Sequence, residues 1–376
     1  MRPLPMTLLL TADAVGGVFT HAIDLVRGLA PHGVRTTLVM LGPPMTAHQQ
    51  AVAREVDGLT VVETGLPLDW LAATPGALLA AAEQVCDLAF AHKADLVHLN
   101  TPALALAEYP CPVVVGVHSC LASWWGAVEE GPLPVDFAWR TQLMAQALAQ
   151  ADAVTCPTHA FATCVLALYG AAPVVVHNGR APSATPTRQV ASAPSLAFSA
   201  GRVWDRGKNA HTLDAAAAHM DVPVLLAGPT VSPQGDAIRV TNAVALGALE
   251  EAAIRKHLAQ RPIFVSAALY EPFGLGVLEA AQAGCPLVLS DIATFRELWH
   301  GAALFVPARD AEGFAGAVNA IAGDERLARA LGRAAQRRAA AYDVKVMSAG
   351  MADLYRALLL RSGAARGPSS LTGTLA

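Results

Sequence analysis

Short apolar runs alternate with helical patterns along nearly the whole chain, and this alternation constrains the fold more than any other feature. Val34 to Met40, Thr60 to Val62, Asp95 to His98, Val113 to Val117, Ala153 to Cys156 and Val174 to His177 read as strands. Helical stretches lie between them at about Gly76 to His92, Val135 to Gln150 and Thr158 to Tyr169. Such alternation is the pattern of a parallel sheet covered by helices on both faces. It breaks at Asn178 to Ser195, which is rich in Pro, Ala, Ser and Thr and has no apolar periodicity. It resumes through Val222 to Ala227, Pro262 to Ser266, Pro286 to Ser290 and Leu304 to Val306. The expectation is an α/β protein with two Rossmann-like domains, 1–180 and 196–343, whose parallel sheets face each other across a cleft. A linker at 181–195 joins them, and 362–376, without periodicity, reads as a disordered tail.

A chain of 376 residues is long for one domain, and a hydrophobic content of 54% suffices for two cores. The net charge of −4 gives no global basic field, which argues against nucleic acid as a partner and requires any phosphate site to be local. The six cysteines show no C-x-x-C spacing and read as small buried residues of a reducing compartment. Secretion is not expected, because the N-terminus carries a single Arg before a very short apolar run. The uncharged stretch Tyr109 to Val128 is interrupted by Pro110, Pro112, Gly116, His118 and Ser119, so it reads as a buried strand and loop, not a membrane span.

Chemistry concentrates after the run Ile263-Phe-Val-Ser-Ala-Ala-Leu, in Glu271-Pro-Phe-Gly-Leu-Gly-Val-Leu-Glu279. The run ends a strand, Gly274 permits a tight turn, and Leu275 to Ala283 reads as a helix. This places two carboxylates at the carboxyl end of a strand, where open α/β sheets bind ligands, beside a helix N-terminus that attracts anions. Two Glu at this spacing alone would be a solvated helix face; the Pro-Phe-Gly-Leu between them and the Gly-x-Pro-Leu-Val after them argue otherwise.

The segment resembles the E-x7-E signature of the family-4 retaining glycosyltransferases of the GT-B fold, which move a sugar from a nucleotide diphosphate sugar to an acceptor. The resemblance implies that Glu271 lies at the donor sugar and that Glu279 bonds the ribose hydroxyls. A second segment agrees: Ser195-Leu-Ala-Phe-Ser-Ala-Gly-Arg202, followed by Val-Trp-Asp-Arg-Gly-Lys208, where Lys208 is expected to begin a helix. Arg202 and Lys208 match the family's diphosphate-binding cations, with Arg206 as a competitor between them. Two fixed cations can balance the charge of a departing diphosphate in place of a metal. A third segment, Met6 to Ala30, reads as a strand, the pair Gly16-Gly17 and an amphipathic helix. In the family this loop lies between donor phosphates and acceptor.

His118 follows the strand Val113 to Val117, and the resemblance puts it near the donor sugar and acceptor. Trp124 and Trp125 could wall a sugar or cap a core. His177-Asn178-Gly179 resembles the family's close of the first domain, but Arg180-Ala-Pro stands where an Asp is usual. Leu246 to Glu251 is a candidate base-recognition loop. Arg326, Arg329, Arg333 and Arg337 form a basic helical stripe, read as a solvated face with Leu327 and Leu331 inward. The last helix, Val344 to Leu360 with Tyr355, should cross back onto the first domain.

Together these readings imply a cytoplasmic, retaining glycosyltransferase of hexosyltransferase type with no cofactor and no metal, leaving association with the inner membrane face open. The catalytic candidates are Glu271 and His118. Donor contacts are expected from Arg202, Lys208, Gly274, Leu275, Glu279, Gly16 and Gly17. The donor would be a UDP-, GDP- or ADP-sugar and the acceptor a carbohydrate, lipid or small molecule. The alternative is a non-catalytic nucleotide-sugar-binding or scaffold protein that retains the GT-B fold.

Overall fold

The structure, a computed structural model, describes residues 4–181, 194–233 and 235–365. Seven strands build the first sheet: β1 (Met6–Asp13), β2 (Val34–Leu41), β3 (Leu59–Glu63), β4 (Leu96–Leu99), β5 (Val113–Gly116), β6 (Ala153–Cys156) and β7 (Val174–Val175). Six build the second: β8 (Ala197–Ala200), β9 (Val224–Ala227), β10 (Val244–Gly247), β11 (Ile263–Ser266), β12 (Leu287–Ser290) and β13 (Leu304–Val306). Every ladder is parallel, and the orders are β3-β2-β1-β4-β5-β6-β7 and β10-β9-β8-β11-β12-β13. Consecutive Leu8, Leu9 and Leu10 are all fully buried, as a strand covered on both faces requires. In each sheet the strand order reverses once, between β1 and β4 and between β8 and β11, and these switch points are where such folds bind ligands.

Local sequence explains the element ends. Thr74 and Thr158 cap the helices Pro75–Ala91 and His159–Tyr169 through their hydroxyls, and Gly170 ends the latter in the left-handed region. The helix Leu275–Ala283 has the expected bounds and starts at Gly274, whose φ of 92° suits glycine alone.

Four readings change. Lys208 does not open a helix: it closes a 3-10 turn, Arg206–Lys208, because Asp205 accepts from the Gly207 N–H, and the helix Ala210–Ala217 follows. β10 was not foreseen and takes Leu246 and Gly247 out of the expected loop; it is a short edge strand whose register slips between Ala245 and Gly247. On the basic helix Glu325–Ala339 the four arginines are exposed, but the deepest inward row is Ala328, Gly332, Ala335 and Ala339, with Leu327 and Leu331 only partly buried. The last helix, Val344–Ala365, continues into 362–365, where a tail was expected. The rest of the tail and most of the linker, 182–193, lie outside the described residues.

That helix returns to the first domain: Met347, Met351, Ala352, Tyr355 and Leu358 join the core layer of Leu8, Leu10 and Leu25. Full burial of each large side chain contributes roughly 1.5–3 kcal/mol. Gly28 makes the approach possible, since a methyl there would lie 2.6 Å from the Ser348 Cβ. Among the described residues no helix is long and apolar enough to cross a membrane.

Candidate active site

Glu271 lies between β11 and the helix Leu275–Ala283, and its carboxylate is in direct contact with the Lys208 ammonium. Both side chains are largely shielded, at 16% and 27% exposure, so the pair is weakly screened by solvent. The neighbours of Glu271 are pinned to the first domain. The Tyr270 hydroxyl meets Ser123 Oγ at 2.8 Å and accepts from the Cys120 N–H at 3.2 Å, while Thr158 donates to the Pro272 carbonyl at 3.0 Å. Glu271 is therefore held at the seam of the two domains.

Arg202 follows β8 and pairs with Asp205 at 2.8 Å. Asp205 also accepts from the Trp124 indole at 3.1 Å, a bond between domains. Trp124 thus ties the cation loop to the first domain through its indole N–H, and Trp125 donates to the Gly131 carbonyl at 3.2 Å. Arg206 is 68% exposed and pairs with Glu129 at 2.6 Å, away from the Lys208–Glu271 contact. Across the cleft, a methyl on Gly16 would lie 3.8 Å from Arg202 Nη1, and one on Gly17 would lie 3.2 Å from Leu275 Cδ1. Gly16, at φ 106°, caps the helix Gly17–Leu29 without a side-chain bond, so the helix N-terminus lies beside Arg202 and Leu275.

Glu279, within the helix Leu275–Ala283, has a different partner from Glu271 and meets Arg180 at 3.1 Å. The same guanidinium contacts Asp24 at 3.0 Å and Glu251 at 2.8 Å. Burial raises the pKa values of Glu279 and Asp24 despite the nearby cation, because one guanidinium divides its compensation among three carboxylates. For Arg180, burial acts to lower the pKa, and the attraction of Glu279, Asp24 and Glu251 outweighs it and raises it.

His118 is half-buried, with Nε2 2.9 Å from Asn100 Oδ1. Desolvation lowers its pKa to about 4, so it is neutral near pH 7 and works as a hydrogen-bonding group, not a cation. Its ring lies 4.4 Å from that of buried His21, and His98 completes the cluster with Nδ1 2.6 Å from the Tyr355 hydroxyl. Burial also lowers His98, to about 3, and His21. Asp13, at the end of β1, accepts from the Val15 N–H at 2.7 Å, and burial raises its pKa to about 6.

The structure thus gathers Glu271, Lys208, Arg202, Leu275, Gly16 and Gly17 at one cleft, while Glu279 joins an ion cluster at the seam. Sequence reasoning missed Asp13, Asp24, Asp205, Tyr270, His21 and His98 as members of this region. Asp13, just before the glycine pair, and Asp205, between the two cations, had a positional signal; the others had none.

Residues 15–183 match the Glycosyltransferase Family 4 domain, and residues 195–324 match the Glycosyl transferases group 1 domain. No curated protein matches the chain. Among solved structures it is similar to a sucrose-phosphate synthase from Thermosynechococcus elongatus, with a TM-score of 0.77 and 18% identity over 95% of this chain and 100% of that one. Anabaena HepE in complex with UDP and glucose superposes with a TM-score of 0.73 and 18% identity, over 94% and 100% of the two chains. WaaG, a glycosyltransferase involved in lipopolysaccharide biosynthesis, gives 0.70 and 12%, over 93% and 99%. At these identities the likeness establishes the fold, which is GT-B.

Proposed function

Because the chain belongs to the group 1 glycosyltransferases, with a family 4 domain ahead of a group 1 domain on the GT-B fold, we propose that it moves a hexosyl group from a nucleotide diphosphate sugar to an acceptor, with retention and without a metal at the diphosphate. The observation that carries this reading is the Lys208–Glu271 contact, set beside Arg202 and opposite the Gly16–Gly17 turn. Arg202, Lys208 and the amides of Gly274 and Leu275 would receive the diphosphate, whose negative charge grows as the glycosidic bond breaks. Glu271 would bond the sugar hydroxyls, and Glu279 the ribose, which must share that carboxylate with Arg180 or displace it. The acceptor would enter near Gly17 and neutral His118.

In the transfer, the bond from the anomeric carbon to the phosphate oxygen breaks as the acceptor oxygen bonds to the same face of that carbon. The acceptor's proton passes to the departing phosphate oxygen. Structures of HepE hold UDP, glucose and UDP-glucose, which makes a uridine nucleotide the first donor to try. One second reading, a protein that binds nucleotide sugar without transferring it, is motivated by Arg180 standing where the resembled family usually has an Asp.

The deciding assay incubates purified protein with UDP-, GDP- and ADP-glucose in EDTA and measures nucleoside diphosphate release, with the product anomer read by NMR. Release in chelator with retained configuration is expected. Binding without release supports the second reading, an inverted anomer overturns retention, and loss in EDTA with rescue by Mn²⁺ overturns metal independence.

A further inference from the structure

Away from the cleft cations, His159, His177 and Glu297 each bring one ligand atom to within 4.8 Å of the others. His159 opens the helix His159–Tyr169 and His177 follows β7, both in the first domain, whereas Glu297 belongs to the helix Ala293–Trp299 of the second. The proposed transfer uses none of the three.

Their surroundings are those of metal ligands. His177 Nδ1 lies 2.8 Å from the Pro157 carbonyl, which can only accept, so Nδ1 carries the proton and Nε2 presents a lone pair. A backbone carbonyl fixing the tautomer in this way is the usual outer support of a ligating imidazole. The Glu297 carboxylate is oriented too: Oε1 accepts from the His159 N–H at 2.9 Å and Oε2 from the Ala160 N–H at 2.7 Å. Each oxygen keeps a further lone pair. The His159 ring is exposed, has no hydrogen bond among the described residues, and meets the His177 ring edge to face at 6.0 Å between centroids. Capping of the helix His159–Tyr169 accounts for Glu297 but not for two imidazoles converging on it.

We propose that His159, His177 and Glu297 form a zinc site that ties the two domains together. Two imidazole nitrogens and one carboxylate oxygen suit Zn²⁺, which takes N and O ligands tetrahedrally with water in the fourth place; Mg²⁺ and Ca²⁺ favour all-oxygen shells. With bonds of ~2.1 Å, tetrahedral ligands lie about 3.4 Å apart, so from separations within 4.8 Å the atoms must close by at most about 1.4 Å. Since the ligands come from both domains, the ion binds the closed arrangement in preference to an opened one, and binding stabilises closure by mass action.

The test uses untagged full-length protein freed of metal with EDTA and titrated with ZnCl₂ in a calorimeter. One saturable equivalent is expected, with affinity at least tenfold weaker in His159→Ala and in His177→Ala. Co²⁺ in place of zinc should give the intense visible absorption of a four-coordinate ion in the wild type and not in either variant. The melting temperature of metal-free His159→Ala should match that of the metal-free wild type, which shows that the variant folds, while zinc should raise the melting temperature of the wild type alone. Absence of a one-to-one uptake, or equal uptake by wild type and both variants, overturns the site. These readouts do not depend on glycosyl transfer.

Discussion

The guanidinium of Arg180 lies 3.1 Å from the carboxylate of Glu279, at the position where the resembled family usually has an acid. Arg180 is 12% exposed, and of its three carboxylate partners Asp24 is 6% exposed, Glu279 24% and Glu251 35%, so the Arg180–Asp24 side of the cluster is substantially desolvated. Removing one partner of such a network leaves uncompensated buried charge, which typically costs about 3–5 kcal/mol. Arg180→Met should therefore lower unfolding free energy by about that amount in urea titrations. A loss below about 1 kcal/mol would show that the cluster behaves like a surface ion pair.

Lys208 and Arg206 share one 3-10 turn but face different partners, Glu271 and Glu129. Lys208→Ala should weaken nucleoside diphosphate binding by about 1.5–3 kcal/mol, roughly ten- to hundredfold, through loss of one charge-assisted contact. Arg206→Ala should leave the affinity within error. Calorimetric titration distinguishes the two, and the reverse ranking would reassign the diphosphate to Arg206.

The two carboxylates of the E-x7-E segment should separate kinetically. Glu279→Gln removes a ribose contact made equally before and during the reaction, so the donor KM should rise with kcat little changed. Glu271→Gln should lower kcat about 10²-fold, because its charge matters most as the sugar ring becomes cationic. A helix-capping role for Glu271 predicts early melting with normal turnover instead. The geometry disfavours it: the helix is capped by Gly274 with no side-chain bond, and Glu271 engages Lys208.

Asp13 should leave a signature in stability against pH. Its pKa in the folded protein is about 6, raised by burial from a usual value of 3.8. The folded state therefore favours the protonated form, and the associated stability is present below about pH 4 and lost as pH rises through about 6. The difference is on the order of 2–3 kcal/mol. Asp13→Asn should gain stability relative to wild type as pH is raised from 4 to 7, measured by denaturant unfolding at each pH. Parallel curves for the two proteins would refute the shift.

The alternation of apolar runs and helices made both parallel sheets legible, because strands such as Met6–Asp13 and Ile263–Ser266 are apolar on both faces and glycines such as Gly274 mark the turns. The junction carrying Glu271 was legible for the same reason: strand, turn and helix are adjacent in sequence and written in local chemistry. β10 escaped because a four-residue edge strand, half exposed and slipped in register, has too little periodicity to announce itself. The site's partners escaped on different grounds. Arg180 meets Asp24 across 156 positions, and His98 meets Tyr355 across 257. Such contacts leave no period or spacing in the chain. They arise only when packing removes water and brings residues from separate elements within hydrogen-bond reach, so the carboxylate–guanidinium cluster, the histidine cluster and the tyrosine that pins Glu271 were decided by the tertiary structure alone.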